Sequence, residues 1–223
     1  MPSCQPGGRG DCGTGAIMGS YKVERSTFRR LKAKLEADVP LRREVERALE
    51  VLLYEYNTTV HENRFVVGGA CERILGAAMR ASGIDAENVG THNPRIDLGI
   101  PGAQGFSVKG SFTGKRDDIR LINSLGKSET RKWSEATIFI LANTGIGYAD
   151  PELLKNATKS MGDALILKRR HLDRLFQENP ECLIRCAVAS KSTQVKKTKV
   201  ASEAVAKEIL GRAEFPKLGR FAR

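Results

Sequence analysis

The stretch from Ala136 to Ala142, ATIFILA, constrains the fold most. It is continuously apolar, without the alternation of a half-exposed strand. Such a run marks a strand covered on both faces, and a strand of that kind needs packed layers above and below it. The flanking sequence supplies them. Before it come helical segments: Ser26 as cap of a helix opening at Thr27 with Leu31 and Leu35 on one face, then a second helix opened by Pro40. In the second, Leu41, Val45, Ala48, Leu49, Leu52 and Tyr56 follow the helical period. A third helix runs from about Arg64 to Ser82 and stops at Gly83.

Short extended runs follow, Arg95 to Ile100 and Gly105 to Ser111, separated by the hairpin-like break Pro101-Gly102. Beyond ATIFILA, Asp150-Pro151-Glu152 reads as the cap and first turn of a helix. Ala164 to Leu167 reads as a strand, Arg169 to Glu178 as a helix, Cys182 to Ala189 as a strand and Glu203 to Leu210 as a last helix. Helices first, then strands interleaved with helices, predict an α/β fold with a mixed central sheet flanked by helices. Residues 1–20 are rich in Gly, Pro, Ser and Cys and read as a disordered tail, leaving 21–223 as one domain. Residues 190–199, SKSTQVKKTK, read as a basic arm.

Charge narrows the partners. Lys and Arg number 37 against 26 Asp and Glu, a net charge of +11 over 223 residues. A balance this basic points to a polyanion, most often nucleic acid. No apolar run approaches the roughly 20 residues of a membrane helix, and the start MPSCQPGGRG lacks the apolar core of a secretory signal. The five cysteines, Cys4, Cys12, Cys71, Cys182 and Cys186, are odd in number and irregularly spaced, so reduced thiols in a cytoplasm are expected. Neither they nor the scattered His61, His92 and His171 have zinc-site spacing.

Several motif strings fail their context. Gly8, Gly10 and Gly13 spell GxGxxG with no strand before them and no apolar helix after. Gly126-Lys127-Ser128 resembles the end of a P-loop, but Leu121 stands where the first glycine belongs.

One constellation carries chemistry. Asp97 lies in PRIDLGI, and Ser107, Val108 and Lys109 follow in FSVKGSF. If both runs are strands of one hairpin, Asp97 and Lys109 meet at one end of the sheet. Ser107 and Lys109, two apart, share a strand face. A carboxylate and an ammonium then converge, as metal-assisted phosphodiester hydrolysis requires. Magnesium takes hard oxygen ligands, typically one or two carboxylates completed by water and substrate phosphate. A neighbouring lysine orients or deprotonates the water and meets the charge on the phosphate.

A second carboxylate is expected, and Glu72 is the first candidate, with Glu129 the runner-up. Glu72 sits mid-helix in GGACERILGAAM, with Gly68, Gly69 and Gly76 as helical neighbours. Glycine in a helix interior costs up to about 1 kcal/mol, so three around one acid need a reason. Close approach of this helix to the sheet is that reason here, bringing Glu72 toward Asp97.

Asp97, then Ser107-Val108-Lys109, with a glutamate on a preceding helix, resembles the PD-(D/E)XK nuclease superfamily, and within it the type II restriction endonucleases. The resemblance spans about residues 64–190. It implies a restriction-endonuclease-like core cutting double-stranded DNA with Mg²⁺, with Asp97 and Glu72 as metal ligands and Lys109 as catalytic lysine. Two departures stand out: Ile96 precedes Asp97, so the PD dipeptide is absent, and Ser107 stands where the motif carries its second acid. Ser107 belongs to the candidate catalytic group, although filling a small polar slot is its simpler role.

The segment after this strand, KRDDIRLINSLGKSETRK, holds Lys115, Arg116, Arg120, Asn123, Lys127, Arg131 and Lys132. These are the expected DNA contacts, through phosphates and base edges. Lys168-Arg169-Arg170 and the arm are expected to touch phosphates. Trp133 is expected in the core. One site per chain cuts one strand, so a homodimer matching a palindromic site is expected. The alternatives are a repair or junction nuclease with the same core, and a basic DNA-binding protein in which Asp97 and Lys109 form a structural pair.

Overall fold

The computed structural model describes residues 21–56, 61–90, 95–112, 117–122, 132–189 and 201–222. Helix α1 spans Lys22–Ala37, α2 Val39–Glu55 and α3 His61–Ala81. The strands β1 (Glu87–Asn88), β2 (Leu98–Gly99), β3 (Ser107–Ser111) and β4 (Asp118–Ile122) follow. Then come β5 (Thr137–Leu141), β6 (Gly145–Ala149), β7 (Thr158–Met161) and β8 (Ala164–Lys168). Helix α4 (Arg169–Glu178), strand β9 (Leu183–Ile184) and helix α5 (Ser202–Leu210) complete the order.

The fold is mixed α/β, as the sequence pattern predicts, with the strands of the described residues grouped into three sheets. The central one runs β3-β5-β6-β9, with β3 parallel to β5 and the remaining pairs antiparallel. A second, antiparallel sheet runs β4-β8-β7, and β1 pairs with β2. Every residue of β5 and of β6 is buried, as expected for ATIFILA. The central sheet is covered on both sides. On β6, Tyr148 packs against Phe28 of α1, with ring centroids 5.4 Å apart. The adjacent Gly147 faces the Phe176 ring of α4. Successive residues of a strand point to opposite faces, so α1 and α4 lie on opposite sides. Helix α3 packs on α2 and α5 and also touches β1 and β3.

Several local expectations are corrected. Ser26 does not cap α1: the helix already begins at Lys22, because its buried stripe of Glu24, Thr27, Phe28, Leu31 and Leu35 starts earlier. Pro40 does sit in the first turn of α2, where the Asp38 side chain accepts the Leu41 N–H at 3.1 Å. No helix follows Asp150. Its carboxylate accepts the N–H groups of Glu152 and Leu153 at 2.9 and 3.0 Å. The capping chemistry is present, but residues 151–156 form turns and end at Asn156, whose φ is 57°. Of the run from Cys182 to Ala189, only Leu183–Ile184 pairs as a strand, because Cys182 closes a 3-10 turn begun at Pro180. The charged segment KRDDIRLINSLGKSETRK contains β4. Its two described acids are occupied: Asp118 is bound by Lys168, and Asp117 accepts the Arg170 N–H at 3.2 Å. Trp133 is buried, donating Nε1–H to the Thr137 hydroxyl at 3.0 Å. The expected tail and the basic arm lie outside the described residues. Among the described residues, no helix is long and apolar enough to cross a membrane.

Candidate active site

The hairpin that carries Asp97 is fixed by backbone bonds. Phe106 donates to the Leu98 carbonyl at 2.8 Å, and the Phe106 carbonyl receives the N–H groups of Asp97 and Leu98 at 2.9 and 3.0 Å. Gly105 makes the close pairing possible. Its φ is 96°, and a side chain there would collide with the Leu98 carbonyl oxygen.

This geometry turns the Asp97 carboxylate across onto β3. Among the described residues strand β3 is an edge of its sheet, bonded to β5 on one side. Its Ser107 N–H goes toward β5, to the Ala136 carbonyl at 2.9 Å. The next N–H, of Val108, points the other way and donates to Asp97 Oδ2 at 2.6 Å. The Ser107 hydroxyl donates to the same oxygen at 3.2 Å. Lys109 Nζ stands 3.8 Å from it. Ser107 and Lys109 therefore share the face that meets Asp97, as their spacing predicts. Ser107 is buried and acts as a positioning group on Asp97.

Glu72 approaches from α3. A Cβ built on Gly90 lies 3.6 Å from Asp97 Oδ1 and 3.6 Å from Glu72 Oε2, so the two carboxylates face one small space. Burial, with the Asp97 charge added, pushes the Glu72 carboxyl up to about 7, against the opposing pull of Lys109 and Arg73. Arg73 and Arg80, on the same helix, make their direct bonds to other partners. Arg73 pairs with Glu203 at 3.1 Å, and Arg80 donates to the carbonyls of Phe221 and Ala86 at 2.7 and 2.8 Å.

The glycines around Glu72 need correction. Gly76 does let α3 approach the β1–β2 pair, since a Cβ there would stand 2.9 Å from Asn88 Oδ1 and 3.2 Å from Leu98 Cδ2. Gly69 instead admits α5, through Ser202 Oγ at 2.5 Å. Gly68 meets no described atom within 4 Å. Only one of the three serves the packing expected of all.

Asp97 Oδ1 and Glu72 Oε2 are the oxygens able to hold a divalent cation. Their donor type fits magnesium: two hard carboxylates facing a common space, one of them disfavoured as an anion by burial and by the charge of the other. Among the described residues no group of three or more His, Cys, Asp or Glu is placed to hold a metal, so this donor set ends at two. Glu129 lies outside the described residues, as do Lys115, Arg116, Asn123, Lys127 and Arg131. Arg120 is exposed on β4, and Lys132 is exposed just before β5. Arg120 is thus in the second sheet rather than on the strand that carries Lys109. Of the basic triplet, Lys168 is bound to Asp118 and Arg169 pairs with Asp173 at 3.4 Å, leaving Arg170 exposed. Two parts of the site have no sequence signature: the Val108 N–H that fixes Asp97, a group nearly every residue offers, and Gly90, which lies outside both motif runs.

Comparison with family models, with curated proteins and with solved structures finds no match to this chain.

Proposed function

We propose that this protein is a Mg²⁺-dependent endonuclease that hydrolyses double-stranded DNA at a specific site, in the manner of a type II restriction enzyme. The observation that carries the reading is the double engagement of Asp97. One carboxylate oxygen is held by Val108, Ser107 and Lys109, while the other faces Glu72 across Gly90. A structural ion pair accounts for the first half alone. It gives no reason to bring a second, poorly solvated carboxylate to the same place.

Asp97 and Glu72 would hold the cation. The chemistry a bound magnesium ion supplies is neutralisation of charge at the phosphate and a lower pKa for nearby water. The protein's own groups do the rest. The Val108 N–H and Ser107 hydroxyl fix the rotamer of Asp97, so that its second oxygen stays aimed at the Glu72 side. Lys109 carries a fixed positive charge beside Asp97, where it orients the attacking water and stabilises the added charge on the phosphorane. The net charge of +11 draws the polyanionic substrate to the surface. One such site cuts one strand, so a two-fold homodimer acting on a palindromic site is part of the proposal, as is a cytoplasmic place of action.

The test is incubation of the purified protein with unmethylated phage DNA and Mg²⁺, with EDTA and Asp97→Ala as controls. Discrete fragments that disappear in both controls are expected. Intact DNA from a folded protein that still binds DNA would instead leave Asp97 and Lys109 as a structural pair in a non-catalytic binding module.

A further inference from the structure

Glycine is used in this fold mostly where a side chain has no room or where φ is positive. Gly105 and Gly145 combine a positive φ with a close backbone contact, and Gly69 and Gly76 lie against Ser202 and Asn88. Two glycines beside Glu72 meet neither condition. Gly90 has no left-handed φ, and a methyl group on it makes only ordinary contacts at 3.6 Å or beyond. Gly68 lies one helical turn before Glu72 in the interior of α3, where glycine weakens the helix. A Cβ on it meets no described atom within 4 Å.

Gly90 borders the acid directly, and Gly68 lies one helical turn before it on α3. A side chain at Gly90 would occupy the space that Glu72 Oε2 and Asp97 Oδ1 both face. Gly90 is also exposed, so solvent reaches its bare backbone beside that space. Gly68 is partly exposed on the face of α3 that carries Glu72, four residues earlier. Bare backbone is what close approach of another chain requires.

We propose that the scissile phosphodiester reaches the carboxylate pair across Gly90, and that Gly68 extends the same lane along α3, so that both glycines serve substrate access rather than folding. The inference rests on the nuclease reading of Asp97, Glu72 and Lys109 and adds the side from which the DNA backbone enters. Gly90 controls room for cation and phosphate together. Gly68 controls room for the flanking backbone only.

The experiment compares wild type, Gly90→Ala and Gly68→Ala in three measurements. These are thermal unfolding, Mn²⁺ binding by calorimetry without DNA, and duplex affinity in EDTA together with single-turnover cleavage in Mg²⁺. The expected result is that both variants fold, with Gly68→Ala melting higher than wild type. Gly90→Ala binds Mn²⁺ at least fivefold more weakly and cleaves at least tenfold more slowly. Gly68→Ala binds Mn²⁺ as wild type does and loses at least fivefold in duplex affinity. Wild-type cleavage and duplex affinity in both folded variants overturn the access lane and leave the nuclease reading intact. A wild-type protein that neither cleaves DNA nor binds Mn²⁺ overturns both.

Discussion

Lys109 Nζ stands 3.8 Å from Asp97 Oδ2, at a point where that oxygen already accepts the Val108 N–H at 2.6 Å. Asp97 is therefore held without the lysine, and the ammonium is left to act outward. The pair is partly exposed, with the two side chains 29% and 18% accessible, which limits its worth to the fold to within about 1 kcal/mol. Lys109→Met is expected to unfold in urea within that margin of wild type while cleavage falls about 10²-fold or more. A loss of several kcal/mol with cleavage retained would make the lysine structural.

Glu72 gives the site a pH signature in the absence of cation. Its carboxyl is raised from 4.5 to about 7, first by burial and then by the Asp97 charge. The folded state thus holds a proton that the unfolded chain releases earlier. The stability linked to that proton is full below about pH 4.5 and drains away as pH rises through about 7. Glu72→Gln removes the dependence. In EDTA at pH 8 the variant is expected to be more stable than wild type, by an amount on the order of 2 kcal/mol, and at pH 5 the gap should largely close. Added Mg²⁺ should raise the melting temperature of wild type only. A variant less stable than wild type at pH 8 in EDTA counts against the assignment.

The part of this site that was legible in the sequence is the part built locally. Asp97, Ser107 and Lys109 belong to one hairpin, so period-two alternation and a turn at Pro101-Gly102 suffice to bring them together. Glu72 was reached through its glycines, yet Gly69 answers to Ser202 of α5 and Gly68 to no described atom. The elements missed depend on distant partners. Strand β6 reads GIGYA, too glycine-rich for a strand on propensity alone, because Phe176 occupies the space above Gly147 and Ile184 lies against Gly145. Strand β4 reads DIRLI in a charged segment, and its Asp118 is matched by Lys168, fifty residues away. The turn acid Asp150 reads locally as a helix cap, while its strongest partner comes from α1.

That partner is Arg25, which reaches Asp150 through Nε at 2.7 Å and through its terminal nitrogen at 2.8 Å. Asp150 is fully buried and also accepts the Tyr148 hydroxyl at 2.7 Å. Removing the carboxylate leaves the Arg25 Nε–H, a phenol and two turn N–H groups without their acceptor together. Asp150→Ala is expected to cost about 3–5 kcal/mol in urea unfolding. Glu152, the exposed second partner of Arg25, should cost less than about 1 kcal/mol when changed to alanine. Equal effects at the two positions would show that burial does not decide the strength of this network.

Gly147 tests how α4 is seated on the central sheet. Replacing glycine by alanine within a strand normally favours folding, because the unfolded chain loses freedom. Here the new methyl would fall on the Phe176 ring, within 2.9 Å of both Cε atoms. The ring is only 4% exposed, so it is enclosed by its neighbours. Overpacking therefore reverses the sign, and Gly147→Ala is expected to destabilise by about 1–3 kcal/mol. Trimming the ring separates this cause from any strand effect. Phe176→Leu alone loses buried apolar contact, but in its presence the alanine has room. The double variant should be more stable than the sum of the two single losses implies, by at least about 1 kcal/mol in a double-mutant cycle. Strict additivity would place the cost of the alanine in β6 itself rather than at its contact with α4.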